Sequence, residues 1–220
     1  MLKVFTTIED KNLAFHVTDD IDSVKLARKA LAKKYKFDHT TLHSMDQIHS
    51  NIVKNISMQS PIQTCDAIIT DQPNTPLMVL VADCIPILFF DETINVIAVA
   101  HAGRVGTFNN IASNTIRKMV DNYNCDVTNI QVVLGPSIQK CCYEVSEEMA
   151  QEVLNKFGAK FLDNRNIDLQ AINKHQLLKI GVLSSNIEIS SICTKCSNHP
   201  YFSYRKNKSC GRFAGLIMID

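Results

Sequence analysis

The chain has 220 residues, the length of one large domain or, less often, of two small ones. Its 23 Lys and Arg residues balance its 22 Asp and Glu residues, which argues against the basic surface of a nucleic-acid-binding protein. No apolar run reaches the roughly 18 residues of a membrane span, and residues 1–10 lack the apolar segment of a signal peptide. We therefore expect a cytoplasmic protein whose partners include neither nucleic acid nor a membrane.

The composition predicts a packed core and reduced thiols. Hydrophobic residues make up 45% of the chain, a fraction typical of globular proteins that fold without disulfides. The chain contains eight cysteines. Because no secretion signal precedes them, we expect them to be reduced, with some free for metal binding or catalysis.

The apolar pattern predicts a mixed series of helices and strands. A spacing of three to four residues indicates helices, and short continuous apolar runs indicate strands buried on both faces. Helices and strands do not alternate strictly, and no glycine-rich nucleotide-binding motif is present. Residues 1–220 are therefore expected to form a single-domain mixed α/β sandwich. The predicted elements are a helix over 21–36, strands over 66–70, 77–82, 85–90 and 95–100, a helix over 107–123, a strand over 130–134, helices over 146–157 and 170–180, and a strand over 215–219.

Three segments each place a metal-ligand type at a turn or strand end: DQIHS (46–50), VADCIP (81–86) and VAHAG (99–103). His49, Cys84 and His101 would give zinc three protein ligands and leave a fourth position open, as catalytic zinc sites do. Pro86 is expected to end the strand pattern beside Cys84. Each of these residues, taken alone, is more typical of ordinary packing, and no local zinc signature accompanies them.

A catalytic zinc ion lowers the pKa of its bound water to about 7. Asp83, next to Cys84, is a candidate proton carrier for such a site. The alternative is that Asp83 makes a hydrogen bond within a turn. One zinc ion per chain is the expectation that follows from these residues.

A second cysteine motif, the C-x-x-C of Cys193 and Cys196, has no partner C-x-x-C in the chain. A four-cysteine zinc site would need Cys141 and Cys142, or Cys210, nearby, and the side chains of adjacent cysteines diverge. We therefore expect two surface thiols that form neither a zinc site nor a required disulfide and are dispensable for activity.

Basic and glycine-rich segments suggest an anion site. Gly106 and Thr107 open a predicted helix, whose amide groups favour an anion, and Arg205 and Arg212 could clamp a phosphate. The alternative is a solvated basic face near the C-terminus.

Seven stretches, taken together and in order, resemble the YfiH-like family, also called the laccase-domain or polyphenol oxidoreductase family. The resemblance implies a compact α/β sandwich, a monomer or weak homodimer, and a catalytic zinc ion on His49, Cys84 and His101. The chain differs from the family pattern by Arg104-Val105 in place of Trp-Arg, by Ser137 in place of Cys and by Lys206 in place of Arg. The stretches are DQIHS (46–50), CDAIIT (65–70), VADCIPILFFD (81–91), AVAHAGRVGT (98–107), LGPSIQKCCYEV (134–145), CT (193–194) and YFSYRKNKSCGR (201–212).

The resemblance also implies an activity: zinc-dependent phosphorolysis of adenosine, inosine, guanosine and methylthioadenosine, with adenosine deamination. Nucleoside and phosphate would be its small-molecule partners, with Asp83, Arg205 and Arg212 in catalytic roles. Other readings stay open: a peptidoglycan-editing hydrolase on a UDP-muramoyl precursor, a copper-dependent polyphenol oxidoreductase, a metal-free thiolate hydrolase using Cys84 and His101, and a non-catalytic binding module.

Overall fold

The computed structural model describes residues 1–17 and 20–220, and its two main β-sheets pack face to face between helices. The described residues also form four short 3-10 helices in the connections. The helices are α1 (Ile21–Tyr35), α2 (Arg104–Phe108), α3 (Ile111–Tyr123), α4 (Glu147–Phe157) and α5 (Leu169–Ile180). The strands are β1 (Leu2–Phe5), β2 (Met45–Asp46), β3 (Val53–Asn55), β4 (Gln63–Thr64), β5 (Ala67–Thr70), β6 (Leu77–Val81), β7 (Ile85–Asp91), β8 (Val96–Ala102), β9 (Gln131–Leu134), β10 (Leu162–Asp163), β11 (Asn166–Ile167), β12 (Ile187–Ile189) and β13 (Phe213–Met218).

The larger sheet has six strands in the order β12-β9-β7-β8-β5-β3. Its centre is antiparallel, and its outer pairs, β12 with β9 and β3 with β5, are parallel. The smaller sheet has the order β1-β13-β6 and is antiparallel throughout. This mixture of strand directions confirms the predicted fold class, a mixed α/β sandwich.

The core lies in three layers. Helices α2 to α5 cover one face of the larger sheet, the two sheets bury their facing side chains against each other, and α1 covers the outer face of the smaller sheet. Strand β6 shows how one strand serves two layers: Leu77 and Val79 face the larger sheet, whereas Met78 and Leu80 face α1. None of the helices in the described part of the chain is long and apolar enough to cross a bilayer.

The observed helices and strands agree with most of the predicted ones, and their caps explain where they begin. Asp20 accepts a hydrogen bond from the Ser23 amide at the start of α1, and Ser146 does the same for the Met149 amide at the start of α4. The prediction that Pro86 ends a strand is wrong, because Pro86 is the second residue of β7.

The helix predicted over 107–123 is wrong at its start. Two helices replace it, because α2 begins at Arg104 and the chain breaks at Asn109 and Asn110 before α3. Asn110 has a left-handed backbone (φ 62°), which a continuous helix does not allow.

Candidate functional site

His49, Cys84 and His101 come together and form what we call the histidine–cysteine cluster. Their ligand atoms all lie within 4.8 Å of one another. His101 lies near the end of β8 and Cys84 directly precedes β7, and the pairing of these two strands places the side chains next to each other. His49 comes from the loop between β2 and β3. The structure thus assembles the three residues that the sequence predicts as metal ligands.

The buried carboxylate of Asp66 organises two of the three ligands. It accepts hydrogen bonds from the backbone amides of Ile48 (3.3 Å), His49 (3.1 Å) and Ser50 (2.6 Å), and from the Ser50 hydroxyl at 2.7 Å. It also pairs with His101 Nδ1 at 2.8 Å. Because Nδ1 is engaged, Nε2 is the imidazole atom of His101 left for a metal.

Burial opposes a charge on Asp66, but the hydrogen bonds outweigh it. Desolvation alone would raise the pKa of this carboxyl group, whereas the bonds from His101 and Ser50 lower its pKa to about 2. Asp66 is therefore an anion that holds the His49 loop and the His101 ring at once.

A second anchor holds the loop from the other side. The side-chain amide of Gln47 donates to the backbone carbonyl of Leu80 at 2.8 Å, and its oxygen accepts from the backbone amide of Leu80 at 2.9 Å. These two bonds fix the loop to β6. His49 itself has a left-handed backbone (φ 59°), a conformation uncommon for a residue with a side chain. The two anchors explain how the loop maintains it.

Gly103 leaves room for the cluster. A Cβ atom at this position would lie 3.0 Å from Cys84 Sγ, 3.4 Å from His49 Cδ2 and 3.7 Å from His101 Cε1. A side chain here would therefore crowd Cys84 Sγ and contact both histidine rings.

The electrostatics of the cluster favour a thiolate. Burial alone would raise the pKa of Cys84, but His101 and His49 lower it to about 6. Burial would likewise lower the pKa of His101, and the Cys84 charge together with Asp66 raises it to about 9. A thiolate with two imidazoles is a donor set that suits zinc or copper, and a thiolate beside a histidine is also a nucleophile.

Asp83 fastens two other loops to the segment that carries Cys84. Its carboxylate accepts hydrogen bonds from the Thr194 hydroxyl and from the Arg205 amide, each at 2.7 Å. The residue is buried and has a left-handed backbone (φ 87°). These partners lie 111 and 122 positions away in the chain, so the bonds are not made within a turn, and the proton-carrier role of Asp83 stays a prediction.

Arg205 reaches toward the cluster through Tyr143. Its guanidinium donates to the Glu144 carbonyl at 2.9 Å and lies 5.0 Å from the centre of the Tyr143 ring. Burial raises the pKa of Tyr143, the charge on Cys84 raises it further, and Arg104 and Arg205 act in the opposite direction. Tyr143 therefore lies within electrostatic reach of both the thiol ligand and the two arginines.

Arg212 has different partners from Arg205. Its guanidinium donates to the carbonyls of Cys210 (2.7 Å) and Gly211 (3.1 Å). Its backbone amide donates to the Asn12 side chain at 2.9 Å. The structure thus uses Arg212 to hold its own loop and does not place it with Arg205 on Tyr143.

The helix start predicted at Gly106 and Thr107, on which the expected anion site rested, is wrong, because α2 begins at Arg104. Both residues are buried inside α2, and the Thr107 amide donates to the Gly103 carbonyl at 2.8 Å. The Thr107 hydroxyl accepts a hydrogen bond from the Asn173 side chain at 2.9 Å. The amide and the hydroxyl of Thr107 thus both have partners within the protein.

Sequence reasoning missed three residues of the site: Asp66, Gly103 and Tyr143. Asp66 and Tyr143 lie in stretches that carried the family resemblance, but nothing in their local pattern indicated a role. Gly103 offered a weak signal, because a glycine two residues after a candidate ligand often marks close approach of the backbone.

A four-cysteine cluster lies outside this site. Cys141, Cys142, Cys193 and Cys196 place their Sγ atoms within 4.8 Å of one another. The expectation of two isolated surface thiols is therefore wrong, and Cys193 is in addition buried.

Comparison with known proteins agrees with these features. The family model described as multi-copper polyphenol oxidoreductase laccase matches residues 5–220. A purine nucleoside phosphorylase of Corynebacterium glutamicum is 34% identical over 94% of this chain and 86% of its own. A purine nucleoside phosphorylase of Clostridium acetobutylicum is 35% identical over 79% of this chain and 75% of its own. The crystal structure of the Bacillus licheniformis hypothetical protein YfiH superposes with a TM-score of 0.91 at 26% identity, covering 99% of this chain and 92% of that one.

Proposed function

The chain belongs to the multi-copper polyphenol oxidoreductase laccase family, and on that premise we propose that it is a zinc-dependent purine nucleoside phosphorylase. Its substrates are adenosine, inosine, guanosine or methylthioadenosine, together with phosphate. Deamination of adenosine is a second reaction of the same site. The names of the similar phosphorylases support the reaction class.

One observation carries the proposal: three ligand residues distant in sequence converge on one point, and Asp66 orients His101 with its Nε2 free. This donor set fits zinc, because one thiolate and two imidazoles leave one tetrahedral position open. His49, Cys84 and His101 would hold the ion. When bound, the ion supplies a Lewis acid that can activate water or polarise the substrate.

The surrounding side chains supply the remaining functions. In phosphorolysis the bond between ribose C1′ and the purine nitrogen breaks, and a phosphate oxygen takes its place at C1′. Arg205 neutralises and orients the phosphate through its guanidinium. The half-buried Tyr143 ring, within electrostatic reach of Cys84, offers an apolar face for the base in a chain without tryptophan. Asp83 positions Arg205 by accepting a hydrogen bond from its amide at 2.7 Å.

The donor set fits multi-copper oxidation less well. The groups able to hold a metal among residues 1–17 and 20–220 are the histidine–cysteine cluster and the four-cysteine cluster, which together contain two histidines. Coupled copper centres of an oxidase need more imidazole ligands than that. We therefore assign glycosyl transfer to phosphate, and not redox chemistry, to the site.

A second candidate rests on the order of three contacts. His101 lies between Cys84 and the buried Asp66, the arrangement of nucleophile, base and orienting carboxylate in thiol hydrolases. A metal-free hydrolase acting on an amide, such as that of a cell-wall precursor, would use this arrangement directly. Metal content separates the two candidates, because the hydrolase needs no zinc.

The test combines metal analysis with a product assay. Zinc per chain is measured by mass spectrometry of the metal, and release of the base from inosine is measured with and without phosphate. The variants are His49→Ala and His101→Ala, with the exposed His39→Ala as matched control. We expect phosphate-dependent release in the wild type and in the control. In the two cluster variants we expect loss of one zinc ion per chain, the ion of the histidine–cysteine cluster, together with loss of release. Zinc-loaded protein that turns over no nucleoside would reject the proposal.

A further inference from the structure

We propose that Cys141, Cys142, Cys193 and Cys196 form a second metal site, which binds zinc as a structural ion. The inference is independent of the proposed function, because none of the four cysteines belongs to the histidine–cysteine cluster. It also revises the expectation of one zinc ion per chain to two.

The sulfur geometry supports tetrahedral coordination. A Zn–S bond of about 2.3 Å in a tetrahedron places the sulfur atoms about 3.8 Å apart. The Sγ atoms of Cys141 and Cys196 are 3.6 Å apart, and all four lie within 4.8 Å of one another. All four cysteines are free thiols in the structure, so the set is complete and needs no ligand from outside.

Two backbone turns bring the adjacent cysteines into the cluster despite their neighbouring positions. The amides of Cys142 and Tyr143 both donate to the Gln139 carbonyl, at 2.9 and 3.0 Å. This turn directs both thiols toward the C-x-x-C segment. The second turn is closed by the Ser197 amide, which donates to the Cys193 carbonyl at 3.0 Å.

The two turns are held together independently of any metal. Ser137 forms an isolated parallel bridge with Cys193, and the Thr194 amide donates to the Ser137 carbonyl at 3.0 Å. These backbone bonds hold the two turns that carry the ligands next to each other, which reduces the ordering that metal binding requires.

The surroundings suit a charged thiolate cluster. Backbone amides of Gln139, Cys196 and Lys195 point toward Cys193 Sγ, as hydrogen bonds to metal-bound thiolates require. Four thiolates around one zinc ion carry a net charge of about −2. Lys140 and Lys195 directly precede two of the ligands in the chain and supply opposite charge.

Such an ion would stabilise one wall of the candidate active site. Tyr143 directly follows the ligand Cys142. Thr194 directly follows the ligand Cys193 and donates to Asp83 at 2.7 Å. The second metal site would therefore affect the candidate active site by holding Tyr143 and Thr194 in place, and not by contacting a substrate.

The test separates the two sites by removing each in turn. Zinc per chain is measured on wild type, His49→Ala and Cys193→Ser/Cys196→Ser, with Cys210→Ser as matched control because this thiol lies outside the cluster. We expect about two zinc ions in the wild type and control, and about one in each cluster variant. X-ray absorption at the zinc edge of His49→Ala should show sulfur neighbours alone, at about 2.3 Å.

Two results would overturn the proposal. One is His49→Ala protein that holds no zinc or a zinc ion with nitrogen neighbours. The other is an intact mass of the unreduced protein that is lower than that of the fully reduced chain by two hydrogens per disulfide. That result would show that the cysteines form disulfides. If the double variant fails to fold, Cys141→Ser, at an exposed ligand, together with the absorption spectrum of His49→Ala decides the question.

Discussion

The histidine–cysteine cluster and the four-cysteine cluster differ in how the fold builds them. The first lies where β7 begins and β8 ends, next to a buried aspartate, and mixes sulfur with nitrogen donors. The second lies on two turns with exposed cysteines at positions 141 and 196 and offers sulfur alone. Three ligands leave a coordination position for a reactant, whereas four close the site. This difference favours the proposed reactive role for the first cluster and the proposed structural role for the second.

The largest effect should come from removing the thiol of the histidine–cysteine cluster, which we call the open site because it leaves one coordination position free; the four-cysteine cluster is the closed site. Cys84→Ala is expected to abolish one zinc ion per chain and to reduce phosphorolysis about 1000-fold or more, because the metal contribution amounts to several kcal/mol. The fold should persist, since the core does not depend on this ion. Metal analysis and a thermal melt check this, with Cys210→Ala as control. Full zinc retention in Cys84→Ala would break the distinction between the clusters.

Arg205→Ala should affect one reaction of the open site more than the other. A lost charge-assisted hydrogen bond costs roughly 1.5–3 kcal/mol, or about 10- to 150-fold, and deamination of adenosine needs no phosphate. Phosphorolysis should therefore fall more than deamination, as measured by base and ammonia release from the same preparation.

Two controls sharpen the Arg205 experiment. Exposed Arg117→Ala should leave both reactions unchanged. Arg212→Ala should reduce phosphorolysis less than Arg205→Ala, because the Arg212 guanidinium is bound to two carbonyls of its own loop, whereas that of Arg205 is bound to one and lies over the Tyr143 ring. Equal loss of both reactions in Arg205→Ala would mean that this residue binds the nucleoside or supports the fold.

Asp66→Asn should weaken the open site without touching the closed one. Replacing a carboxylate that orients a metal-bound histidine lowers metal affinity by about 10- to 100-fold. Competition with a chelator would measure this, with Asp126→Asn, a turn-capping aspartate, as control. Unchanged zinc affinity would show that the ligands stay aligned without Asp66.

The smallest effect on turnover is expected from Cys193→Ser/Cys196→Ser. At 25 °C its turnover should lie within about threefold of the wild type, because no reacting group is removed. Its thermal midpoint should fall by about 6–12 °C, which corresponds to about 3 kcal/mol in a chain of this size. A midpoint equal to that of the wild type would mean that the four-cysteine cluster carries no stabilising ion.

Sequence patterns predicted the parts of this fold that depend on local chemistry. The apolar run 77–82 corresponds to β6, and the helices predicted over 21–36 and 146–157 correspond to α1 and α4. The helix start at Gly106 failed for a local reason as well. Gly103 and Gly106 offered more than one possible start, and the backbone of Gly103 caps the helix without a side-chain bond.

Contacts between distant segments explain what the sequence could not show. His49, Cys84 and His101 could be selected by residue type and then by the family resemblance, which the match to residues 5–220 confirms. The role of Asp66 depends on bonds to residues 16 to 35 positions away. The four-cysteine cluster depends on the bridge between Ser137 and Cys193, and no local pattern reveals such a pairing.

The ligands of the open site differ in access to solvent: His49 is exposed, Cys84 is partly covered and His101 is buried. An ion bound at this site would therefore enter and leave from the side of His49. Detachment of His49 would open a path to solvent while Cys84 and His101 still hold the ion, so exchange should begin at that ligand. The rate at which a chelator removes the ion should therefore depend on how easily the His49 loop moves. The bonds of Gln47 and Asp66, which hold this loop, would then set that rate.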